Sequence, residues 1–195
     1  MTDRFRATSQ PRAGREHGFS VIELIIVVAV IMVLAALSGK AMWSAVANYR
    51  MDTAAREIAG SVQMAKMKAT ARDARYQVLI NTTAGTYRIQ RLTAAGGTWE
   101  LDPGTDDYTL PSGVSFRATA AASAPTGHTA GPNTEMTFNT RGLLIQNVTT
   151  ATASLVDSRC FHMESSAGAR SAAVCTGVTG KTAVYRLTGS AWDTQ

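Results

Sequence analysis

The sequence predicts an α+β fold in which a long N-terminal helix precedes a head of antiparallel strands. Three observations support this fold class. No proline occurs from Phe19 through Tyr76, apolar residues in the second half of that segment recur with a helical period, and apolar and polar residues alternate from Tyr76 onward. A helical period followed by a period of two is typical of one helix followed by strands.

Residues 1–18 form a short basic and polar segment. They contain four arginines against one aspartate and one glutamate, and they end in His17-Gly18. Positive charge before an apolar segment stays on the cytoplasmic side of a membrane, whereas the chain that follows is exported. We therefore expect residues 1–18 to be a cytoplasmic leader.

An apolar run of 19 residues extends from Phe19 to Leu37 and contains a single charged residue, Glu23. At about 1.5 Å per residue, a helix over this run is about 28 Å long, close to the ~30 Å hydrocarbon core of a bilayer. Charges within such a helix are costly, so an intramembrane carboxylate indicates function. We predict that residues 19–38 span a membrane. Glu23 must then pair with a charge from another chain, or with one created at the start of the run.

Two simpler interpretations of the run are a secretory signal peptide and a plain signal anchor. The apolar core of a signal peptide has about 7–15 residues and ends at a small-residue cleavage site. Here the run is longer, contains a carboxylate and is followed by Ser38-Gly39-Lys40. These features favour another class of N-terminal segment.

The segment 39–76 is predicted to continue the helix outside the membrane. Its apolar residues are spaced by four, three, four, three and four positions, which places them in one stripe along a helix. The stripe consists of Met51, Ala55, Ile58, Val62, Ala65 and Ala69. Because most of these side chains are small, we expect the stripe to pack closely on a sheet.

Residues 77–195 are predicted to form a β-rich globular head. The stretches YQVLIN and TYRIQRL flank Thr82-Thr83-Ala84-Gly85, which is typical of a hairpin with a glycine-containing loop. Further predicted strands are GVSFRA, TEMTFN, LLIQNV, ASLV, RCFHM, SAAVC and TAVYRL. Residues 119–133, rich in Ala, Gly, Pro and Thr, are predicted to be a mobile loop that serves as a spacer or a contact surface.

The stretch GFSVIELIIVVAVIMVLAAL resembles the class III leader junction of type IV pilins and type II secretion pseudopilins. The resemblance implies that a prepilin peptidase/methyltransferase cleaves between Gly18 and Phe19 and N-methylates Phe19. It also implies that Glu23 pairs with the Phe19 amine of a neighbouring subunit during filament assembly. The implied partners are this peptidase, other major and minor pilins or pseudopilins, and the inner membrane. The chain departs from the family pattern at one place: it has Ser38-Gly39 near the position where many major pilins carry a proline.

Three stretches narrow the resemblance to the GspH/FimT-type minor pseudopilins. They are the leader junction, RMDTAAREIAGSVQMAKMKATARDARYQVLI and MTFNTRGLL, whereas residues 143–195 match loosely. The resemblance implies a pilin-like periplasmic head of two small antiparallel sheets on the helix. It implies a low-abundance structural subunit, often near the filament tip, and no enzymatic activity. The filament is a type II secretion pseudopilus or a type IV pilus, since both use this leader and anchor.

The chain contains two cysteines, Cys160 and Cys175, both in the exported half. In an oxidising periplasm we expect them to form a disulfide, worth about 3 kcal/mol for a loop of this length. Two reduced buried thiols are the alternative. Cys160 with His162 does not make a metal site, because two ligands without a second cluster are too few. CTGVTGKT resembles a phosphate-binding loop, but Cys175 takes the place of its first glycine and a strand pattern follows. We therefore predict no metal, cofactor or catalytic residue.

The net charge of +5 is concentrated in the helical segment. Residues 40–76 contain seven basic and three acidic residues, whereas residues 77–195 contain eight of each. On a helical wheel, four basic residues form a strip beside the apolar stripe. They are Arg50, Lys68, Arg72 and Arg75. The basic strip has three interpretations: a solvated face, a contact with acidic residues of neighbouring subunits, or a contact with DNA.

A DNA contact would make the chain a FimT-like minor pilin for DNA uptake in natural transformation. The DNA-binding members resemble one another in an arginine-rich C-terminal segment, and here KTAVYRLTGSAWDTQ contains only Lys181 and Arg186 as basic residues. A third possibility is a monomeric membrane-anchored binding domain that never polymerises. The structural subunit is the interpretation that the sequence favours.

Overall fold

The computed structural model describes residues 19–93, 97–117, 124–128, 133–146, 154–165 and 170–195, without the side chains of residues 37–41. The chain divides into two compact units, Met1–Ala41 and Met42–Gln195. Among the described residues there is one helix, α1, which extends over Val21–Ala71.

In the first unit, the described residues are the N-terminal turns of α1 and the two residues before them. Ser20 occupies the N-cap position, because its carbonyl accepts the first helical hydrogen bond from N of Leu24 at 3.2 Å. Glu23 lies in the first turn, where the positive end of the helix dipole favours a carboxylate. All residues in the range 19–36 are exposed. Among the described residues, no helix combines the length and the hydropathy of a membrane span.

In the second unit, the predicted apolar stripe of α1 is buried, and each of its six residues is at most 2% exposed. The helix ends at Ala71, earlier than the predicted boundary at residue 76. Asp73 ends it by adopting a φ of 46°, and N of Ala74 donates to the carbonyl of Ala69 at 3.3 Å. Aspartate tolerates this left-handed conformation because its short polar side chain can hydrogen-bond locally.

Eleven strands follow α1 in the described part of the chain. They are β1 (Tyr76–Asn81), β2 (Thr86–Leu92), β3 (Trp99–Leu101), β4 (Tyr108–Thr109), β5 (Val114–Phe116), β6 (Glu135–Phe138), β7 (Leu144–Ile145), β8 (Ser158–Ser165), β9 (Ser171–Gly177), β10 (Thr182–Thr188) and β11 (Ala191–Thr194). They form two antiparallel sheets. The first has the order β3-β2-β1-β6-β7, with β4 also paired to β2, and the second has the order β11-β10-β9-β8-β5.

One cluster of buried apolar side chains joins α1 to both sheets. Its largest members include Tyr76 and Met136 of the first sheet and Phe161 and Met163 of the second, all fully buried. Burying a large apolar side chain contributes about 1.5–3 kcal/mol, so the contact between helix and sheets is a main source of stability. The predicted α+β, pilin-like fold of a helix on two antiparallel sheets is therefore confirmed.

The predicted hairpin is also present, and its turn has local causes. β1 and β2 pair outward from Asn81 and Thr86. Oδ1 of Asn81 accepts hydrogen bonds from N of Thr83 and N of Ala84, at 3.1 and 3.0 Å. Gly85 closes the turn with a φ of 65°, a conformation that glycine adopts without steric cost.

The remaining predicted strands are only partly confirmed by the structure. Of the predicted strand ASLV, the described residues 154–156 form no strand, and Leu155 makes a single bridge with Ile145. The strands β3, β4 and β11 were not predicted, and they have three, two and four residues. Within the predicted mobile loop 119–133, residues 124–128 contain no strand, and residues 119–123 and 129–132 lie outside the described residues.

Candidate functional site

The predicted processing and assembly residues lie at the start of α1. Gly18 is outside the described residues, Phe19 is 81% exposed, and Glu23 is exposed in the first helical turn. A continuous surface of large apolar side chains follows them, with Ile22 66% and Ile31 58% exposed. Apolar surface of this extent marks contact with a membrane or another protein. Cleavage, methylation and pairing between subunits remain predictions for these residues.

At the other end of α1, three side chains converge on the carboxylate of Asp102. Nζ of Lys68 donates to Oδ2 at 2.5 Å, and Nη1 of Arg72 and the hydroxyl of Tyr76 donate to Oδ1 at 2.8 and 2.9 Å. Arg72 also donates to the Tyr76 hydroxyl at 3.0 Å. The Asp102 side chain is fully buried, whereas those of Lys68 and Arg72 are 23% and 45% exposed. We call these four residues the Asp102 cluster.

The electrostatics of the Asp102 cluster favour the ionised carboxylate. Burial opposes ionisation, but the hydrogen bonds from Lys68 and Tyr76 and the charges of Lys68 and Arg72 outweigh it and lower the pKa of Asp102 below its ordinary value. Burial and the hydrogen bond to Asp102 raise the pKa of Tyr76, so its hydroxyl keeps its proton. Oγ1 of Thr105 donates to the carbonyl of Asp102 at 2.7 Å. The cluster thus fixes the loop between β3 and β4 to α1.

Two further polar contacts tie the middle of α1 to the head. Nη1 of Arg50 donates to the carbonyl and to Oγ of Ser112, at 3.2 and 3.0 Å. Asp52 forms an ion pair with Arg186 of β10, and both side chains are about one-third exposed, at 30% and 29%. Contacts from separate parts of the head therefore meet α1 along its length in this unit.

The turn between β9 and β10 packs tightly on α1. Nζ of Lys66 donates to the carbonyls of Thr179 and Gly180, at 2.9 and 3.2 Å. Gly180 has a φ of 72°, and a Cβ there would lie 2.6 Å from the carbonyl oxygen of Gly142, in the turn between β6 and β7. Turns from both sheets and one helical side chain thus meet at a residue that must be glycine.

The four residues of the predicted basic strip have different surroundings. Lys68 and Arg72 bind Asp102, and Arg50 binds Ser112, all within one chain. Arg75 lies in the turn after α1, where its carbonyl accepts a hydrogen bond from N of Leu92. Two cations of the strip therefore share one buried carboxylate inside the head. A contact of the strip with DNA or with a neighbouring subunit remains a prediction for these residues.

Asp102 is not among the residues for which the sequence predicted a role. The stretch Asp102-Pro103-Gly104 is typical of an exposed turn, and its helical partners lie 34 and 30 residues away. The local periodicity of a sequence gives no information about contacts between residues this far apart.

Cys160 of β8 and Cys175 of β9 stand opposite each other in the second sheet and are joined in a disulfide, with an Sγ–Sγ distance of 2.04 Å. Both are fully buried, in a small cluster with Ala173 and the partly buried Tyr185 and Trp192. Their sequence neighbours on the two strands belong to the core that contacts α1. Because side chains alternate along a strand, the disulfide lies on the face of the sheet turned away from α1.

Two histidines lie on the same side of this sheet. Nε2 of His128 and the hydroxyl of Tyr185 are hydrogen-bonded at 3.0 Å. His162 of β8 is 4% exposed, and its ring lies edge-on to Trp192 with centroids 5.8 Å apart. Burial lowers the pKa of both histidines, and the charge of Arg117 lowers that of His162 further. Within the described ranges, Nδ1 of His128 and both ring nitrogens of His162 have no hydrogen-bond partner.

In the part of the chain that the structure describes, one group of side chains has both the donors and the proximity to hold a metal ion. It consists of His128, Cys160 and Cys175, whose ligand atoms lie within 4.8 Å of one another. The sulfurs are bonded to each other, so this state offers no thiolate. The sequence draws attention to His162 beside Cys160, whereas the structure brings His128 to the two sulfurs. No sequence signal identifies His128, because it belongs to the predicted loop far upstream of both cysteines.

Two family models match this chain, and they cover different parts of it. A model of the prokaryotic N-terminal methylation motif matches residues 14–39. Together with a long helix packed on antiparallel sheets, this motif defines the class: an α+β protein with an N-terminal methylation motif. A second family model, described as Type II transport protein GspH, matches residues 54–180, which is more than half of the chain. The chain belongs to the GspH family, and the resemblance identified from the sequence is confirmed.

Solved structures with a similar fold include two of the minor pseudopilin EpsH from the type 2 secretion system of Vibrio cholerae. In the first, the similarity has 13% identity and a TM-score of 0.49, and covers 69% of this chain and 95% of the other. In the second, the identity is again 13%, the TM-score is 0.44, and the coverage is 69% and 92%. No curated protein sequence matches the chain significantly.

Proposed function

We propose that the chain is a minor pseudopilin, a structural and assembly subunit of a type II secretion pseudopilus. One observation carries the proposal: a methylation motif at residues 14–39 and a GspH match over residues 54–180 occur in the same chain. The motif accounts for processing and anchoring, and the family match accounts for the head. The head acts through its shape and contacts and not as an enzyme.

The N-terminal unit is processed and then anchors the chain. The prepilin peptidase removes residues 1–18 by cleaving between Gly18 and Phe19, and it methylates the amine of Phe19. Residues 19–38 hold the processed chain in the inner membrane, with the head in the periplasm. The exposure of every described side chain from residue 19 through residue 36 supports this role, because such apolar surface is stable only against lipid or protein.

Glu23 guides each subunit into the filament. Its carboxylate pairs with the methylated amine of Phe19 on a neighbouring subunit, and each charge offsets the desolvation of the other. The exposed position of Glu23 in the first turn of α1 supports this role, because a second chain can reach it there.

The head is held on the second half of α1 as a rigid body. The Asp102 cluster, the Arg50–Ser112 contact and the Asp52–Arg186 pair engage successive parts of the helix. A displacement of this part of α1 during filament growth is therefore passed directly to the head. This coupling suits a subunit that presents its head to other pseudopilins or to a secreted protein.

A DNA-uptake function is not favoured. Lys68 and Arg72 are engaged by the one carboxylate of Asp102, and the last fifteen residues contain two basic side chains. A type IV pilus is also less well supported, because the family match is to a type II transport protein.

Deletion of the gene in its host tests the proposal. We expect secretion of exported enzymes through the type II system to be lost, and DNA uptake to be unchanged. The wild-type chain should restore secretion, whereas Gly18→Glu, which blocks cleavage, should not. Gly14→Glu, a matched change within the leader, should restore it. Normal secretion after deletion, or lost DNA uptake with secretion intact, would contradict the proposal.

A further inference from the structure

We propose that His128, Cys160 and Cys175 form a binding site for Zn²⁺, or a similar thiophilic divalent cation, when the two cysteines are reduced. Formation of the disulfide closes this site. The inference concerns a face of the second sheet that has no part in the proposed pseudopilin function, so either can fail without the other.

The three ligand atoms lie near enough to one another for a single ion to reach all of them once the S–S bond is broken. Cys160 and Cys175 stand directly opposite each other with their Cα atoms 4.1 Å apart, and the nitrogen of His128 lies within 4.8 Å of both sulfurs. With Zn–S bonds of about 2.3 Å and Zn–N bonds of about 2.0–2.1 Å, tetrahedral ligand atoms lie roughly 3.5–3.8 Å from one another. Breaking the S–S bond lets the two sulfurs separate to that distance by side-chain rotation, without movement of β8 or β9.

His128 already has the features of a metal ligand. Its Nε2 is hydrogen-bonded to Tyr185, and its Nδ1 has no hydrogen-bond partner among the described residues. A metal-binding histidine commonly has its second nitrogen held by such a partner, which fixes the tautomer and the orientation of the ring. Burial lowers the pKa of His128 and so favours the neutral ring that ligation needs.

The charge of the ligands and the access to the three residues both suit a divalent cation. Two thiolates neutralise a divalent cation, so the complex brings no net charge into a site where both cysteines are fully buried. A cavity of about 400 Å³, lined in part by His128, Tyr185 and Asp157, opens beside the site. The cavity provides an entry path for the ion and room for a water molecule as fourth ligand.

The oxidation state of Cys160 and Cys175 determines whether the site binds a cation or contains a disulfide. Binding takes the protons of two thiols and leaves two thiolates on the metal. The two released protons go to the solvent. Oxidation by an external disulfide then transfers two electrons from the thiolates to that oxidant, which takes two protons from the solvent and leaves as two thiols, while the S–S bond forms here and the cation departs.

Cobalt binding tests the site in the full chain in detergent. A phosphine reduces the disulfide to two thiols and becomes its oxide, with the oxygen supplied by water. We then expect Co²⁺ to bind with a stoichiometry of one, giving a thiolate-to-cobalt charge-transfer band and the visible bands of a tetrahedral complex. Zn²⁺ should displace Co²⁺, and the oxidised chain should give none of these signals.

Two matched variants assign the histidine ligand. His128→Phe should weaken Co²⁺ binding at least about tenfold, because even the loss of an outer-shell partner typically costs 10–100-fold. His162→Phe, a second buried histidine on the same side of the sheet, should leave Co²⁺ affinity unchanged. Absence of the charge-transfer band in the reduced chain overturns the proposal. Equal effects of the two variants also overturn it, including the case in which reduction unfolds the head and all histidines become equivalent.

Discussion

Oδ2 of Asp102 lies 2.5 Å from Nζ of Lys68, and this contact joins the loop after β3 to the last turns of α1. The carboxylate is fully buried and holds two other donors as well. The ion pair between Arg88 and Asp107 differs in kind, because both of its side chains are exposed, at 38% and 45%. The same head thus contains a buried and an exposed pair that can be compared directly.

Asp102→Asn should lower the free energy of unfolding of the head by about 2–4 kcal/mol, because it leaves the Lys68 cation without its partner. Breaking a fully buried ion pair costs about 3–5 kcal/mol, and here part of that cost is relieved because Lys68 reaches solvent. The matched change Asp107→Asn should cost less than about 1 kcal/mol. Urea unfolding followed by tryptophan fluorescence measures both. Equal losses would show that the Asp102 cluster is not a stabilising anchor.

Gly180→Ala should destabilise the head by about 2–4 kcal/mol, through backbone strain and overpacking together. The added Cβ would meet the carbonyl oxygen of Gly142 at 2.6 Å and Cδ of Lys66 at 2.8 Å. Gly189→Ala is the matched control, since Gly189 has a similar φ of 65° with nothing within 4 Å of the new Cβ. It should cost about 1–2 kcal/mol from backbone strain alone. Thermal unfolding of both variants checks the difference, and a Gly189 variant that is as unstable as the Gly180 variant would refute the close packing.

Acidification should destabilise the head through His162. Burial and the charge of Arg117 lower the pKa of His162 below its ordinary 6.5, so the unfolded chain takes up a proton that the folded ring does not. Stability is therefore complete above about pH 6.5 and falls, by at most about 1.4 kcal/mol per pH unit, as pH decreases towards the lowered pKa. His162→Phe keeps the ring against Trp192 but cannot take up the proton. It should lose less stability than the wild type between about pH 7.5 and pH 5. Identical losses in the two proteins would exclude His162 as the source.

Processing should remove residues 1–18 and add one methyl group to the amine of Phe19. Intact-mass and N-terminal analysis of the membrane-extracted protein, produced together with its prepilin peptidase, measures both changes. Retention of Met1, or a new N-terminus near Ser38, would contradict the predicted junction. Gly14→Glu should be processed normally and Gly18→Glu should not.

Glu23→Ala should leave cleavage and membrane insertion intact but prevent assembly. Removal of a charge from the apolar run makes insertion slightly easier, whereas the incoming Phe19 amine loses the carboxylate that offsets its desolvation. Glu23→Asp should give an intermediate result, because it keeps the charge but shortens the reach. Cysteine crosslinking between neighbouring anchor segments measures assembly, with processing followed in parallel. Undiminished crosslinking of fully processed Glu23→Ala would assign the carboxylate another role.

The long helix and the first hairpin are predictable from the sequence because their causes are local. The spacing from Met51 to Ala69 places one small-residue stripe on one helical face, and all of it is buried. The alternation in β1 and β2, together with Asn81 and Gly85 in the turn, is likewise contained in a few consecutive residues. The prepilin junction belongs to the same category, because its residues stand next to one another.

The remaining features depend on contacts between distant residues. Strands β3 and β4 have three and two residues, too few to show alternation, and they form because β2 offers them an edge. The Asp102 cluster and the approach of His128 to the disulfide each need the folded chain to bring separate segments together. Spacing therefore predicts the α+β class, and the two sheets were implied by the family resemblance, whereas most of the polar contacts within the head require coordinates.

The ion pair between Asp52 and Arg186 has a consequence for the order of biosynthesis, since its partners are 134 residues apart in the chain. The stripe of α1 leaves the ribosome early. Strands β8 and β9, which belong to the core that covers it, and β10, which carries Arg186, follow about 90 or more residues later. Contacts of such long sequence separation form slowly. The head can therefore complete its core only when nearly the whole chain has been synthesised, and until then the stripe of α1 lacks the strands that cover it.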